Sequence, residues 1–170
     1  MPFPAELVRD FVNTFDVEAQ ADELSSPAEL ARWLCERGLA GPHDRAGDDD
    51  LQIAHALREG LRAALRREPA ELPELPLRVV AREEGLELDP AVDGVRGALA
   101  RVAAAAMGAS WDRLKVCAEE TCQWAFIDSS KNRSRSWCSM RVCGNRTKTR
   151  AYRARKRGSR RLQGSNTDTV

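Results

Sequence analysis

The sequence predicts an α+β chain. A mainly helical N-terminal domain with one small β-hairpin comes first, and a compact module ending in a basic helix follows. Three observations carry this. Apolar residues recur at helical spacing in four separate stretches before residue 109. A single stretch, residues 77–88, is rich in β-branched and leucine residues around a Glu-Glu-Gly turn. Four of the five cysteines then fall between Cys117 and Cys143, in the spacing C-x4-C-x15-C-x4-C.

The elements follow in order. Leu7, Val8, Phe11, Val12 and Phe15 make a helical stripe over 5–16. Asn13-Thr14 falls late in it, where short polar side chains pin the next turn through bonds to backbone. A ligand-binding role for the pair is the sharper alternative. Residues 17–25 are polar and predict a loop. Ser26-Pro27-Ala28-Glu29 is a helix start: Ser26 caps, Pro27 fits the first helical position and Glu29 completes a capping box. Leu30, Trp33 and Leu34 form its apolar stripe, and Gly38 ends it. Asp48-Asp49-Asp50 supplies negative charge to the start of the next helix, which shows Ile53, Ala54, Leu57, Leu61, Ala64 and Leu65 on one face up to Arg67. Three prolines between 68 and 76 make a connector. The hairpin follows, then a helix over 91–108 with Val92, Val95, Leu99 and Val102. His43, His55 and Cys35 have no partner in sequence that points to a site.

Two cysteine pairs on short turns, separated by a medium loop, fit a tetrahedral site of four thiolates for one structural zinc, with Cys117, Cys122, Cys138 and Cys143 as ligands. Two disulfides are the alternative, and they belong to secreted chains, whereas the first residues here have no leader-like pattern and a reduced setting is expected. Four thiolates leave no open position for water, so catalysis at the metal is not expected. Strands at 114–117 and 122–127 would frame the first pair. Trp124, Phe126 and Trp137 would supply a small core. Gly144 would permit a tight turn, Asn145 would cap a helix, and that helix would run over 146–157.

The overall charge of +1 conceals a split. Residues 1–128 carry a net −11, while residues 129–170 carry +12, with Asp168 their only acid. Such a block calls for an anionic partner. The candidate contacts are Lys131, Arg133, Arg135, Asn145, Arg146, Lys148, Arg150 and Arg153. DNA is the first expectation. RNA and an acidic protein surface, including a second copy of this chain, are the alternatives. No apolar run approaches the roughly 18 residues that span a bilayer, so a soluble, cytoplasmic protein is expected. There is no nucleophile–base pair and no phosphate loop, so an enzyme is not expected.

Cys143-Gly144-Asn145-Arg146 resembles the signature of CGNR zinc-finger proteins, and its flanks match too: Trp124-Ala125-Phe126-Ile127-Asp128 and Ser134-Arg135-Ser136-Trp137-Cys138-Ser139-Met140. Phe11-Val12-Asn13-Thr14 and the segment from Trp33-Leu34 to Gly38-Leu39 resemble the ABATE domain that precedes such fingers. The resemblance implies a stress-induced transcription regulator. It also implies a treble-clef-like zinc module that presents the basic helix. The organisation it suggests is an ABATE-like regulatory domain over 1–112, a CGNR-type zinc-binding domain over 113–158 and a disordered basic tail over 159–170. A homodimer and an unidentified small-molecule ligand of the first domain are further expectations.

Overall fold

A computed structural model describes residues 4–108 and 111–163. Four helices build the N-terminal part: α1 (Pro4–Val12), α2 (Pro27–Glu36), α3 (Asp48–Leu65) and α4 (Gly94–Ala106). Their apolar stripes meet in one core, where Val8, Phe11, Leu30, Leu34, Leu57, Leu99 and Val102 are fully buried. Phe11 meets Trp33 edge to face at 5.5 Å between ring centroids.

The predicted 5–16 helix stops at Val12, because Asn13 and Thr14 turn their side chains to other work. Phe15–Asp16 (β1) instead pairs antiparallel with Ala21–Asp22 (β2), inside a stretch expected to be only loop. The Asp16 carboxylate accepts from the Glu18 and Ala19 amides at 2.9 Å and so folds the connecting turn. At α2, Ser26 Oγ accepts from Glu29 N as predicted, while the Glu29 carboxylate turns to Arg32. Gly38 ends the helix at φ +67, and Leu39 N donates to Leu34 O at 2.9 Å.

The inward side of α3 carries two arginines among its leucines. Arg58 and Arg62 are each only 4% exposed. Arg58 grips Asp22 through two parallel bonds of 2.7 and 2.8 Å and donates to Thr14 Oγ1 at 3.2 Å. Arg62 donates to the carbonyls of Val12 (2.8 Å) and Phe15 (3.1 Å), tying the end of α1 to β1. Burial works against ionisation of Asp22, yet the bonds from Arg58 and the Leu24 amide hold its carboxyl below the ordinary range. A lowered carboxyl pKa stabilises the fold above the unfolded value and ceases to do so as pH falls through the folded one. Urea midpoints of the native chain and Asp22→Asn should therefore differ at pH 7 and converge below about pH 4. A constant gap down to pH 3 would remove the Asp22 pair from the explanation.

The hairpin forms as predicted. β3 (Leu77–Arg82) pairs antiparallel with β4 (Gly85–Pro90), with Arg82 opposite Gly85 across a Glu83-Glu84 turn. Gly85 takes φ +137, which a side chain would strain. In α4, a Cβ added to Gly97 would lie 2.0 Å from the backbone oxygen of Val92. Gly97→Ala should cost about 1–3 kcal/mol despite its helix-propensity gain, because backbone must move to admit the methyl. A denaturant midpoint at or above the native value would contradict this close approach.

After a single 3-10 turn at Trp111–Arg113, β5 (Leu114–Val116) pairs antiparallel with β6 (Ala125–Ile127). Leu114 and Ala125 belong to the same buried cluster as the four helices, so the core runs without a break into the cysteine-bearing segment. The last helix, α5 (Asn145–Gln163), follows a wide π-type turn at Met140–Gly144. It passes the expected stop at Gly158, and residues 164–170 of the expected tail lie outside the described residues. The α+β class, with a helical first part and a basic terminal helix, is as predicted.

Candidate metal centre and basic helix

Two turns bring the four cysteines together. In the first, Cys117 N donates to Trp124 O, and Cys122 N donates to Glu119 O, each at 2.9 Å. Gln123 closes this turn in the left-handed region, at φ +50. In the second, Ser139 Oγ accepts from Val142 N at 3.3 Å and starts the π-type turn that carries Cys143. A bond from Ala118 N to Ser136 O at 2.8 Å draws the second turn back onto the first.

All four Sγ atoms lie within 4.8 Å of one another. Cys138 Sγ stands 3.7 Å from both Cys122 Sγ and Cys143 Sγ. A tetrahedron with 2.3 Å zinc–sulfur bonds has edges of about 3.8 Å, whereas a disulfide needs about 2.05 Å. The donor set and its spacing therefore fit one zinc ion. Cys117 and Cys143 are buried, and the other two are half-buried. Burial pushes the Cys122 thiol up to about 11 and the Cys138 thiol further. For Cys117 burial acts in the same sense but is outweighed by donors, chiefly the Cys138 amide, and the thiol is lowered. Four crowded sulfurs shed all their protons only in exchange for a cation.

Three local expectations change. Asn145 is not the cap: it sits in helical backbone at φ −69, ψ −39, and its amide donates to Arg141 O at 3.0 Å. Ser139 caps instead, one turn earlier. Gly144 serves close approach within a wide π-type turn rather than the expected tight turn, since a Cβ there would meet Met140 Sδ at 2.4 Å and the Trp137 ring at 3.5 Å. Trp124 is 38% exposed and is not a core aromatic; Phe126 is buried beneath the Arg135 guanidinium, 5.2 Å from its ring centroid.

Two family models match this chain. Residues 5–113 match ABATE, described as "Putative stress-induced transcription regulator", and residues 113–156 match the CGNR zinc finger. The chain belongs to the ABATE family. No individually curated protein matches it. The ABATE–CGNR chain is thus a zinc-finger protein of a regulatory rather than enzymatic family, with one structural zinc. Among the described residues, no helix is long and apolar enough to cross a membrane.

In this ABATE–CGNR chain, Asn13 of the Asn-Thr pair reaches the finger directly, while Thr14 bonds to Phe11 O and Arg58 within the helical part. Asn13 Oδ1 accepts from Ala125 N at 2.7 Å, and its Nδ2 donates to Ala125 O at 2.9 Å. Its side-chain amide thus pairs with β6 as a neighbouring strand would. Arg66 Nη1 adds a 2.8 Å bond to Gln123 Oε1. The helical part grips the finger at several points.

Two buried acids, absent from the predicted site, organise the basic segments. Glu119 is 1% exposed and accepts from Arg150 (2.6 Å), Thr147 (2.8 Å) and Thr121 (3.1 Å). The Arg150 guanidinium is the main reason that its carboxyl falls to about 2. Asp128, fully buried, accepts from Lys115 Nζ (2.7 Å), Ser130 N and Oγ (2.9 and 2.6 Å) and Arg135 N (2.9 Å). Burial opposes its ionisation, but these donors hold the carboxyl well below the usual range. The Asp128-Ser129-Ser130 run, an Asx-turn pattern, was a readable sign of this role.

The predicted contact residues fall into two groups. Lys131, Arg133 and Arg135 lie on the loop built on Asp128; Arg133 pairs with Asp112, and Arg135 donates to Cys138 O at 2.9 Å. Asn145, Arg146, Arg150 and Arg153 line one groove of about 460 Å³ along α5, with Thr149 between them. Arg146 reaches Glu18 at 3.0 Å. Lys148 is exposed and does not line that groove. A larger cleft, about 660 Å³, opens between the end of α3 and β5, and none of its lining residues comes from the hairpin.

Proposed function

We propose that the chain is a zinc-dependent, DNA-binding transcription regulator. In this reading Cys117, Cys122, Cys138 and Cys143 hold the zinc, and the ion locks the two turns from which α5 springs. Glu119 then sets the rotation of α5 through Thr147 and Arg150. The Asp128 loop adds Lys131, Arg133 and Arg135 to the anion-binding surface. The helical part, gripping β6 through Asn13, is the place where a regulatory signal would act.

One observation carries this reading: residues 151–157 of α5 are exposed throughout, and residues 145–163 contain many cations and no acid. Arg146 and Arg150 also meet Glu18 and Glu119, yet so dense a row of cations on an exposed helix suits an anionic partner from outside. Phosphates suit it, because each one neutralised by Lys or Arg releases condensed counterions.

The test is retention of a random duplex DNA pool by zinc-loaded protein at about 150 mM salt, where weak electrostatic binding is suppressed. Retention that weakens steeply with salt and vanishes on chelation of zinc is the expected outcome. Preferential displacement by RNA of matched length would assign the surface to RNA, and no retention would assign it to an acidic protein.

A further inference from the structure

We infer that α5 reads duplex DNA with a central stripe of Asn145, Thr149 and Tyr152, and that its arginines hold the phosphate walls on either side. This rests on the nucleic-acid reading above and specifies its partner and its specificity residues.

The rotation of α5 is set by its contacts with the finger. Thr147 Oγ1 bonds to both Glu119 and the carbonyl of Cys143, so the Thr147 side of the helix faces the finger. The opposite side carries Asn145, Thr149, Tyr152 and Lys156, at i, i+4, i+7 and i+11. Asn145, Thr149, Tyr152 and Lys156 are all exposed. Arg146, Arg150, Arg153 and Arg157 repeat the same spacing along one flank and share a groove with Asn145 and Thr149. Lys148 and Arg155, seven residues apart, mark the other flank.

A stripe of amide, hydroxyl and phenol groups, ending in the ammonium of Lys156, between two rows of cations matches one kind of anionic surface. The major groove is about 12 Å wide and admits a helix of about 10–12 Å diameter between two phosphate backbones. A planar anionic surface would engage one row and leave the other in water. A helix lying on a membrane would need a face of large apolar residues, and up to Arg157 the apolar residues of α5 besides Tyr152 are Ala151 and Ala154. Asn145 Nδ2 is committed to Arg141 O, so its Oδ1 is the group left to accept from a base amino group.

The test is selection from a random duplex pool by the full zinc-loaded chain, repeated with Thr149→Val, Tyr152→Phe and Arg153→Ala. All three side chains are exposed, so zinc content and melting temperature should match the native chain. Thr149→Val and Tyr152→Phe should each relax the preference at one or two base positions by roughly 5- to 100-fold. Arg153→Ala should weaken all sequences alike, leave the motif intact and lower the log–log salt slope by about 1. A native motif that survives both stripe variants and changes with Arg153→Ala would overturn the inference while leaving DNA reading in place. Tight retention without any motif would overturn it and leave only backbone binding. Loss of all retention in the native chain would overturn the nucleic-acid reading itself.

Discussion

Cys117→Ser or Cys143→Ser should release the zinc and unfold the segment from Leu114 to the start of α5. Both thiols are buried, and among the described residues only the four cysteines make up the cluster. Structural zinc in such fingers contributes about 10–16 kcal/mol of apparent binding free energy. A segment of about 45 residues cannot match that by burying apolar surface. Metal content by mass spectrometry should fall from one zinc per chain to near zero. Thermal unfolding should begin well below the native transition, because Leu114 and Ala125 leave the shared core with the finger. A serine variant that keeps its zinc and its native melting profile would defeat the four-thiolate assignment.

Asn13→Ala is the second large effect. The substitution strands the N–H and the C=O of Ala125, both in a buried setting, and removes the only side chain that pairs with that edge of β6 among the described residues. An unsatisfied buried polar group costs about 1–3 kcal/mol, so the pair implies a loss of roughly 2–5 kcal/mol. For a chain of this size that is a fall of roughly 5–15 °C in melting temperature. Zinc content should stay at one. Asn13→Asp should fare no better, since it removes the donor and introduces a charge beside a carbonyl. A denaturant-derived loss below about 0.5 kcal/mol for Asn13→Ala would show that water replaces the amide at no cost.

Features that depend on near neighbours were legible in the sequence. Ser26-Pro27 starts a helix and Gly38 ends it because the stereochemistry is decided within a turn. The cysteine spacing encodes its site because each pair must close its own short turn. Contacts across the chain left weaker marks. The partner of Asn13 stands 112 residues away, and nothing local distinguishes a capping asparagine from one that pairs with a distant strand. Arg58 and Arg62 follow directly on Leu57 and Leu61, and their spacing does not tell that both point inward to carbonyls and a carboxylate. Asn145 was misplaced as a cap because the wide turn before it is continuous with α5, a geometry that spacing alone does not announce. Glu119 and Asp128 were passed over for the opposite reason. Acids on the acidic side of the charge boundary read as solvent-facing until the donors around them are seen.

The Asn13 amide also closes an open flank. β5 and β6 form a two-stranded sheet, and a two-stranded sheet has two edges on which a foreign strand can add. A side chain that satisfies both backbone groups of Ala125 denies that edge to an intruder without adding a strand to the fold. Loss of the amide thus exposes a template for cross-chain pairing as well as a weaker contact. Variants at this position should fail first by concentration-dependent self-association, with aggregates accumulating while most of the chain is still folded.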